Sequence, residues 1–255
     1  MAYIEFKEKQ GGMGMAVQIF AHRGYSGRAM ENSLTAFRMA KEAKVDGVEL
    51  DVHLTLDREV VVIHDERLDR TTTGTGWIGQ LSYDQISQHS LLTLPNETVP
   101  KLSDVLELFF DTSIVVNIEL KNQYIRYPQL AEEVVNLVEY YGMQQRVIVS
   151  SFYHPCLIEL KKYRPSWNIA FLLDCALYEP WKYAKSLDIH QLHLHYTAID
   201  QQLYSACKNN GVVIRAYTVN EEKEMFRLAS IGIEAMITNY PGRLRRVIDH
   251  IDMEC

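Results

Sequence analysis

Short apolar, β-branched runs alternate with amphipathic stretches along nearly the whole chain, and this alternation limits the fold more than any other feature. The runs fall at 17–21, 47–52, 114–120, 147–151, 169–173, 191–195, 212–219 and 235–238. Between them lie helical patterns near 33–43, 103–110, 128–141, 155–163, 178–186, 199–210 and 221–230, with a last one near 241–250. Strands covered by helices on both faces read as continuous apolar runs, because neither face meets water. Eight such strands, each followed by a helix, predict an α/β protein of the (β/α)8 TIM-barrel type. A doubly wound open sheet has the same alternation, and periodicity does not separate the two.

The rhythm breaks once. After the second run come Leu54-Thr55-Leu56-Asp57-Arg58-Glu59 and then a further apolar run, Val60-Val61-Val62-Ile63. So short a connection cannot hold a crossover helix, so the extra strand must run antiparallel beside the second. A two-residue turn at Asp57-Arg58 pairs Leu56 with Glu59 and sets His64 opposite Asp51, whereas a four-residue loop pairs Asp51 with Val62. The Thr-, Gly-, Ser- and Gln-rich segment of about 66–100 is too long for a simple connection and reads as a small insertion at the same end of the barrel. Residues 1–15, with Gly11, Gly12 and Gly14, read as a flexible leader, and 16–255 as a single domain.

Composition removes several function classes. The 26 basic and 33 acidic side chains leave a net charge of −7, which disfavours nucleic acid, since binding it needs a basic face to displace counterions. A small anionic substrate stays open, because one site can be positive in a negative protein. Cys156, Cys175, Cys207 and Cys255 form no C-x-x-C pair, the pattern of scattered thiols in a reducing compartment. The first residues carry no apolar signal core, and no run approaches the roughly 20 apolar residues of a spanning helix. A cytoplasmic protein without a transmembrane segment is expected; a homo-oligomer is neither required nor excluded.

Two strands carry charges where a covered strand should be dry. In Val48-Glu49-Leu50-Asp51-Val52 the carboxylates stand at i and i+2 and share one face, and Glu119 and Lys121 do the same in Ile118-Glu119-Leu120-Lys121. Three carboxylates in one barrel mouth are costly unless a cation sits among them, and a hard divalent ion with oxygen ligands meets that need. Barrel active sites occupy this end. His22-Arg23-Gly24 follows the first strand there, offering an imidazole, a guanidinium suited to phosphate and a glycine that lets backbone approach a ligand. His64-Asp65 ends the extra strand. Elsewhere, His193 and His195 imitate a metal pair but stand without supporting motifs and read as structural. Arg215 either touches substrate or pairs with a carboxylate, Asn32 suits an N-cap for the first helix, and the run from Arg70 to Gly76 is a turn or a lid.

Together these segments resemble the glycerophosphodiester phosphodiesterase family, a phospholipase C-like barrel family. The resemblance rests on His22-Arg23-Gly24, Glu31-Asn32-Ser33-Leu34-Thr35-Ala36-Phe37, Asp46-Gly47-Val48-Glu49-Leu50-Asp51-Val52 and the stretch from Val61 to Gly76. It continues in Asn117-Ile118-Glu119-Leu120-Lys121, Ser150-Ser151-Phe152 and Tyr217-Thr218-Val219-Asn220, and spans about 16–245. It implies a TIM barrel with a small insertion after the second strand. It also implies one divalent metal ion, Ca2+ or Mg2+, on Glu49, Asp51 and Glu119, with His22 and His64 as the acid/base pair and Arg23 and Lys121 near the phosphate. The family often has Trp where Tyr217 stands, though tyrosine also serves as a wall for the glycerol chain. It has Asp where Asn239 stands, and Asp-Gly where Asp57-Arg58 stands.

The expected reaction is hydrolysis of glycerophosphodiesters, such as glycerophosphocholine or glycerophosphoethanolamine, to glycerol 3-phosphate and an alcohol. The glycerol 2-hydroxyl is expected to attack phosphorus first, because holding attacker and target in one molecule gains proximity without a residue to position water. Lysophospholipase D-type activity and a non-catalytic glycerophosphodiester-binding barrel are the alternatives.

Overall fold

The computed structural model describes residues 17–254; the leader expected at 1–15 lies outside them. Eleven strands are β1 (Gln18–His22), β2 (Gly47–Leu54), β3 (Val60–Val62), β4 (Ser90–Leu91), β5 (Leu94–Thr98), β6 (Val115–Leu120), β7 (Val147–Ser151), β8 (Asn168–Leu173), β9 (Gln191–His195), β10 (Val213–Tyr217) and β11 (Ala235–Thr238). The helices are α1 (Leu34–Glu42), α2 (Tyr83–Ile86), α3 (Leu102–Phe109), α4 (Leu130–Tyr140), α5 (His154–Tyr163), α6 (Pro180–Ser186), α7 (Gln201–Asn209), α8 (Glu222–Ser230) and α9 (Pro241–Glu254). Among the described residues, β1, β2 and β6 to β11 pair in parallel, and β1 closes the ring by pairing with both β2 and β11. This is the closed (β/α)8 barrel, not the open sheet.

Strand alternation divides two cores. Val48, Leu50 and Val52 of β2 and Val116, Ile118 and Leu120 of β6 face outward into the main core, with Phe37 and Ala40 of α1 and Leu106 and Phe109 of α3. Phe37 and Phe109 meet edge to face, ring centroids 6.3 Å apart, an arrangement the ring quadrupoles favour. The other faces fill the barrel interior, where Phe20, Val115, Ile148, Ala170, Ala235 and Ile237 cluster. A Cβ on Gly47 would stand 2.3 Å from the Phe20 ring, so only glycine leaves that ring its place.

The second strand pairs in parallel with β6 from Gly47 to Val52 and also serves two further partners. Its first residues pair with β1, ending at His22 opposite Glu49, and its last three pair antiparallel with β3. The connection obeys neither turn expected from the sequence. Thr55 N donates to Glu59 O at 3.0 Å, which leaves a three-residue loop, Leu56-Asp57-Arg58, closed by Arg58 at φ 67°. A left-handed residue at the third position is how such loops restore register. Val52 therefore pairs with Val62, and Ile63 N donates to Asp51 O at 3.0 Å, so Ile63 and not His64 stands opposite Asp51. The segment of about 66–100 follows, with α2, the β4–β5 ribbon and a small core of Leu68, Ile78, Ile86, Leu91 and Val99 closed on Val61 and Ile63.

A second local correction concerns α1. Its N-cap is Ser33, whose Oγ accepts from Ala36 N at 3.0 Å; Asn32 precedes it at φ 56° with its side chain turned elsewhere. No described helix is long and apolar enough to cross a membrane, and Cys156, Cys175 and Cys207 are free thiols.

Candidate active site

The carboxylates meet because of register. Parallel pairing sets Glu49 of β2 beside His22 of β1, and Asp51 of β2 beside Glu119 of β6. All three acids face the barrel mouth and are buried, and their nearest oxygens lie within 4.8 Å of one another. Burial and the neighbouring Asp51 and Glu119 push the Glu49 carboxyl well above the usual carboxylate range. Burial also raises Glu119, against the pull of Lys121. Asp51 is the opposite case. Despite its burial, Arg23 and Lys121 hold it far below the ordinary value, and Asn32 donates to it.

Cations and an amide hold these acids. Arg23 N donates to Glu49 Oε2 at 2.9 Å, and its Nε lies 3.3 Å from Asp51 Oδ2. The backbone there is left-handed, at φ 54° for Arg23 and 74° for Gly24; a Cβ on Gly24 would lie 2.7 Å from the carbonyl carbon of Ala36, so the turn needs glycine. Lys121 Nζ donates to Glu119 Oε1 at 2.8 Å and stands 3.6 Å from Asp51 Oδ1. Asn32 Nδ2 donates to Asp51 Oδ2 at 2.9 Å.

Both histidines reach the same mouth. His22 Nε2 is 3.9 Å from Glu49 Oε2, while its Nδ1 lies 2.6 Å from Asn239 Oδ1. An amide oxygen accepts only, so this contact assigns the proton to Nδ1 and leaves Nε2 as the acceptor facing the acids. Burial, with Arg23 beside it, lowers the His22 pKa to about 4. His64 Nδ1 donates to Asp65 Oδ1 at 2.7 Å, and its ring is an electrostatic neighbour of Asp51 and Glu119. Its backbone oxygen accepts from His53 Nε2 at 3.0 Å, and His53 Nδ1 lies 3.2 Å from the Tyr127 hydroxyl. Tyr217, half-buried on β10, donates its hydroxyl to Leu173 O at 2.9 Å and packs edge-on against Phe152 and His195. This aromatic wall borders the mouth.

Asn239, singled out in the sequence as standing where the family has Asp, comes from the far end of the chain to meet His22. His53 gave no signal, since it looks like any strand residue. Arg70 lay in a run read as turn or lid; its guanidinium grips Asp65 and Glu31. Among the described residues, Arg215 forms no ion pair with a carboxylate within 4 Å. It is buried inside the barrel, donates from Nη1 to Gln191 Oε1 at 2.6 Å and lies 5.3 Å from the Phe20 ring centroid. His193 is its register neighbour in the same interior, and burial holds it neutral. A groove of about 580 Å³ between α4 and α5, lined by Arg126, Tyr153 and Cys156 among others, contains none of the clustered acids.

The residues present fit a divalent ion. Oxygens bound to one such ion at roughly 2.4 Å cannot stand more than about 4.8 Å apart, and the three acids satisfy that limit. The two cations beside them do not neutralise the set, since Arg23 is shared with Glu31 and Glu49 is left with a strongly raised pKa. A hard cation on Glu49, Asp51 and Glu119 removes that cost.

Comparison with known proteins points one way. The model of the glycerophosphoryl diester phosphodiesterase family matches residues 22–243. A glycerophosphodiester phosphodiesterase from Caldanaerobacter subterraneus subsp. tengcongensis is 37% identical over 239 residues, 92% of this chain and 98% of that protein. One from Bacillus altitudinis is 35% identical over 238 residues, 90% and 97% of the two chains. Among solved structures, an Oleispira antarctica phosphodiesterase in complex with the product sn-glycerol-3-phosphate superposes with a TM-score of 0.82 at 28% identity, covering 91% of this chain and 96% of that one.

Proposed function

The chain belongs to the glycerophosphoryl diester phosphodiesterase family and is a phosphoric diester hydrolase of that kind; from that premise we propose that it uses two histidines and a divalent ion to split glycerophosphodiesters into glycerol 3-phosphate and an alcohol. The observation that carries this is the convergence of Glu49, Asp51, Glu119, His22, Arg23 and Lys121 at the C-terminal end of the barrel strands, with His64 alongside. Glycerophosphocholine and glycerophosphoethanolamine are the proposed substrates. The residues 16–255 act as one unit on this reading, with about 66–100 as an addition at the mouth.

Glu49, Asp51 and Glu119 would hold the ion, Ca2+ or Mg2+. When bound, such an ion would neutralise the acids and supply Lewis-acid stabilisation to substrate oxygens. Arg23 and Lys121 face the diester and offset the charge that grows on the phosphoryl oxygens. His22 is half-buried, neutral and aimed with Nε2 toward the acids, which suits it to accept the proton of the glycerol 2-hydroxyl as that oxygen bonds to phosphorus. His64, with Nδ1 on the Asp65 carboxylate, suits proton donation from Nε2 to the departing head-group oxygen as its bond to phosphorus breaks. Water then opens the cyclic glycerol phosphate, with the two histidines exchanging roles. Tyr217 flanks the glycerol chain.

Assaying glycerophosphocholine turnover with and without Ca2+ or Mg2+, for the parent and for H22A and H64A, tests the reading. Expected are metal-dependent release of choline and glycerol 3-phosphate and its loss in either variant. Undiminished turnover in a metal-free preparation, or in both variants, overturns it.

A further inference from the structure

We propose that Arg70, from the inserted segment, is a positioning residue that ties the His64 side of the mouth to the Arg23 side. The inference rests on the reading of His64 and Arg23 given above. Arg70 Nε and Nη2 donate to Asp65 Oδ2 and Oδ1 at 2.7 and 2.9 Å, and Nη1 and Nη2 donate to Glu31 Oε2 and Oε1 at 3.1 and 2.7 Å. Asp65 accepts from His64 Nδ1 at 2.7 Å. Glu31 accepts from Arg23 Nη1 at 2.8 Å, and Arg23 Nε is 3.3 Å from Asp51. A continuous line therefore runs His64, Asp65, Arg70, Glu31, Arg23, Asp51, with one guanidinium as its middle link.

The chemistry of that link favours arginine. Four hydrogen bonds to two carboxylates from one rigid plane need the guanidinium fork; an ammonium can supply the charge but not both bidentate geometries. The backbone under Arg70 is fixed from below. Thr71 and Thr72 are buried, Thr72 Oγ1 donates to Leu68 O at 2.9 Å, and Leu92 N donates to Thr71 O at 3.0 Å. Asp65 and Glu31 are thereby held where they orient an imidazole and a guanidinium, groups on two different connections of the barrel. The insertion acts here as a brace, not as a lid.

Loss of such a brace misplaces the reacting groups, and misplacement on the order of 1 Å costs up to about 10²-fold in rate. For R70A we expect glycerophosphocholine turnover to fall about 10- to 100-fold, with partial recovery on adding millimolar guanidinium, and R70K to stay close to R70A. The p-nitrophenyl ester of glycerol phosphate, whose leaving group needs no proton, should lose about tenfold less than glycerophosphocholine; a merely structural defect lowers both alike. R70Q keeps the aliphatic stem and a polar tip without the guanidinium fork, so its kinetics decide the matter where R70A does not fold. H64A is assayed in parallel. If H64A is inactive while R70A or R70Q stays within twofold of the parent, or loses both substrates equally without rescue, the brace is wrong and the histidine assignment stands. If H64A itself retains the parental rate, the underlying reading has failed instead.

Discussion

Replacing His53 by glutamine isolates one proton in the pH dependence of stability. His53 is fully buried, donates from Nε2 to the backbone oxygen of His64 at 3.0 Å, and stacks edge to face on Tyr127 at 5.7 Å. Burial outweighs its hydrogen bond and lowers its pKa from 6.5 to about 4. The folded state therefore refuses a proton that the unfolded chain takes up as pH falls below about 6.5. Unfolding binds that proton, so stability is lost progressively between about 6.5 and about 4 and the loss is complete below the folded value. At about 1.4 kcal/mol per pH unit, the two pKa values give a loss of roughly 2 kcal/mol between pH 7 and pH 5 from this residue alone. Glutamine can still donate to the His64 carbonyl but has no proton to gain. Urea unfolding of both proteins at pH 7 and pH 5 should show the parent losing about 2 kcal/mol more than H53Q over that interval, whatever the offset between them at pH 7. His22, likewise lowered to about 4, and the carboxylates titrate in both proteins and cancel in the difference. Equal losses within about 0.5 kcal/mol would refute the argument that this buried imidazole stays neutral in the fold.

The other predictions concern the reaction. H22A and H64A should each lower kcat by about 10²–10⁴, as expected for a group that moves a proton in the transition state; stopped assays of choline release measure it. E49Q, D51N and E119Q should each weaken Ca2+ or Mg2+ binding, read by calorimetry, and abolish the rise in thermal midpoint that a saturating ion gives the parent. A substrate analogue lacking the 2-hydroxyl should not be cleaved, and the parental reaction in 18O water should label glycerol phosphate only in its second step. Label entering together with choline release would establish direct attack by water.

The barrel was legible because its strands are wetted on neither face, so each writes itself as an unbroken apolar run. Glu49, Asp51 and Glu119 stood out against that background for the same reason. What the sequence hid was local conformation and long-range contact. The register of β3 turns on Arg58 adopting a left-handed backbone, which arginine rarely does, so the sequence does not announce the three-residue loop. Asn32 looked like a cap because Asn and Ser are both good caps, and only the structure shows Ser33 taking that duty while Asn32 reaches Asp51. Arg215 read as a mouth residue from its alternation with Tyr217, yet one pleat deeper it is in the interior with Gln191. Arg70 gave a fainter signal, a lone guanidinium just before a Thr-rich turn, and its two carboxylate partners are 5 and 39 residues away.

His22 rests on Asn239, 217 residues further along, and β1 has β11 as one of its two neighbours. During synthesis the first strand therefore keeps one edge unpaired until β11, more than two hundred residues later, has emerged. Contacts of such separation form late, after the loop they close has lost its freedom. A nascent chain still holding β11 in the ribosome has made all three acids and both histidines, but has neither a closed wall behind His22 nor the amide that fixes which nitrogen of its ring is bare. The wall behind His22 is thus complete only once β11 and Asn239 have emerged, and fragments ending before Asn239 should be inert toward glycerophosphodiesters.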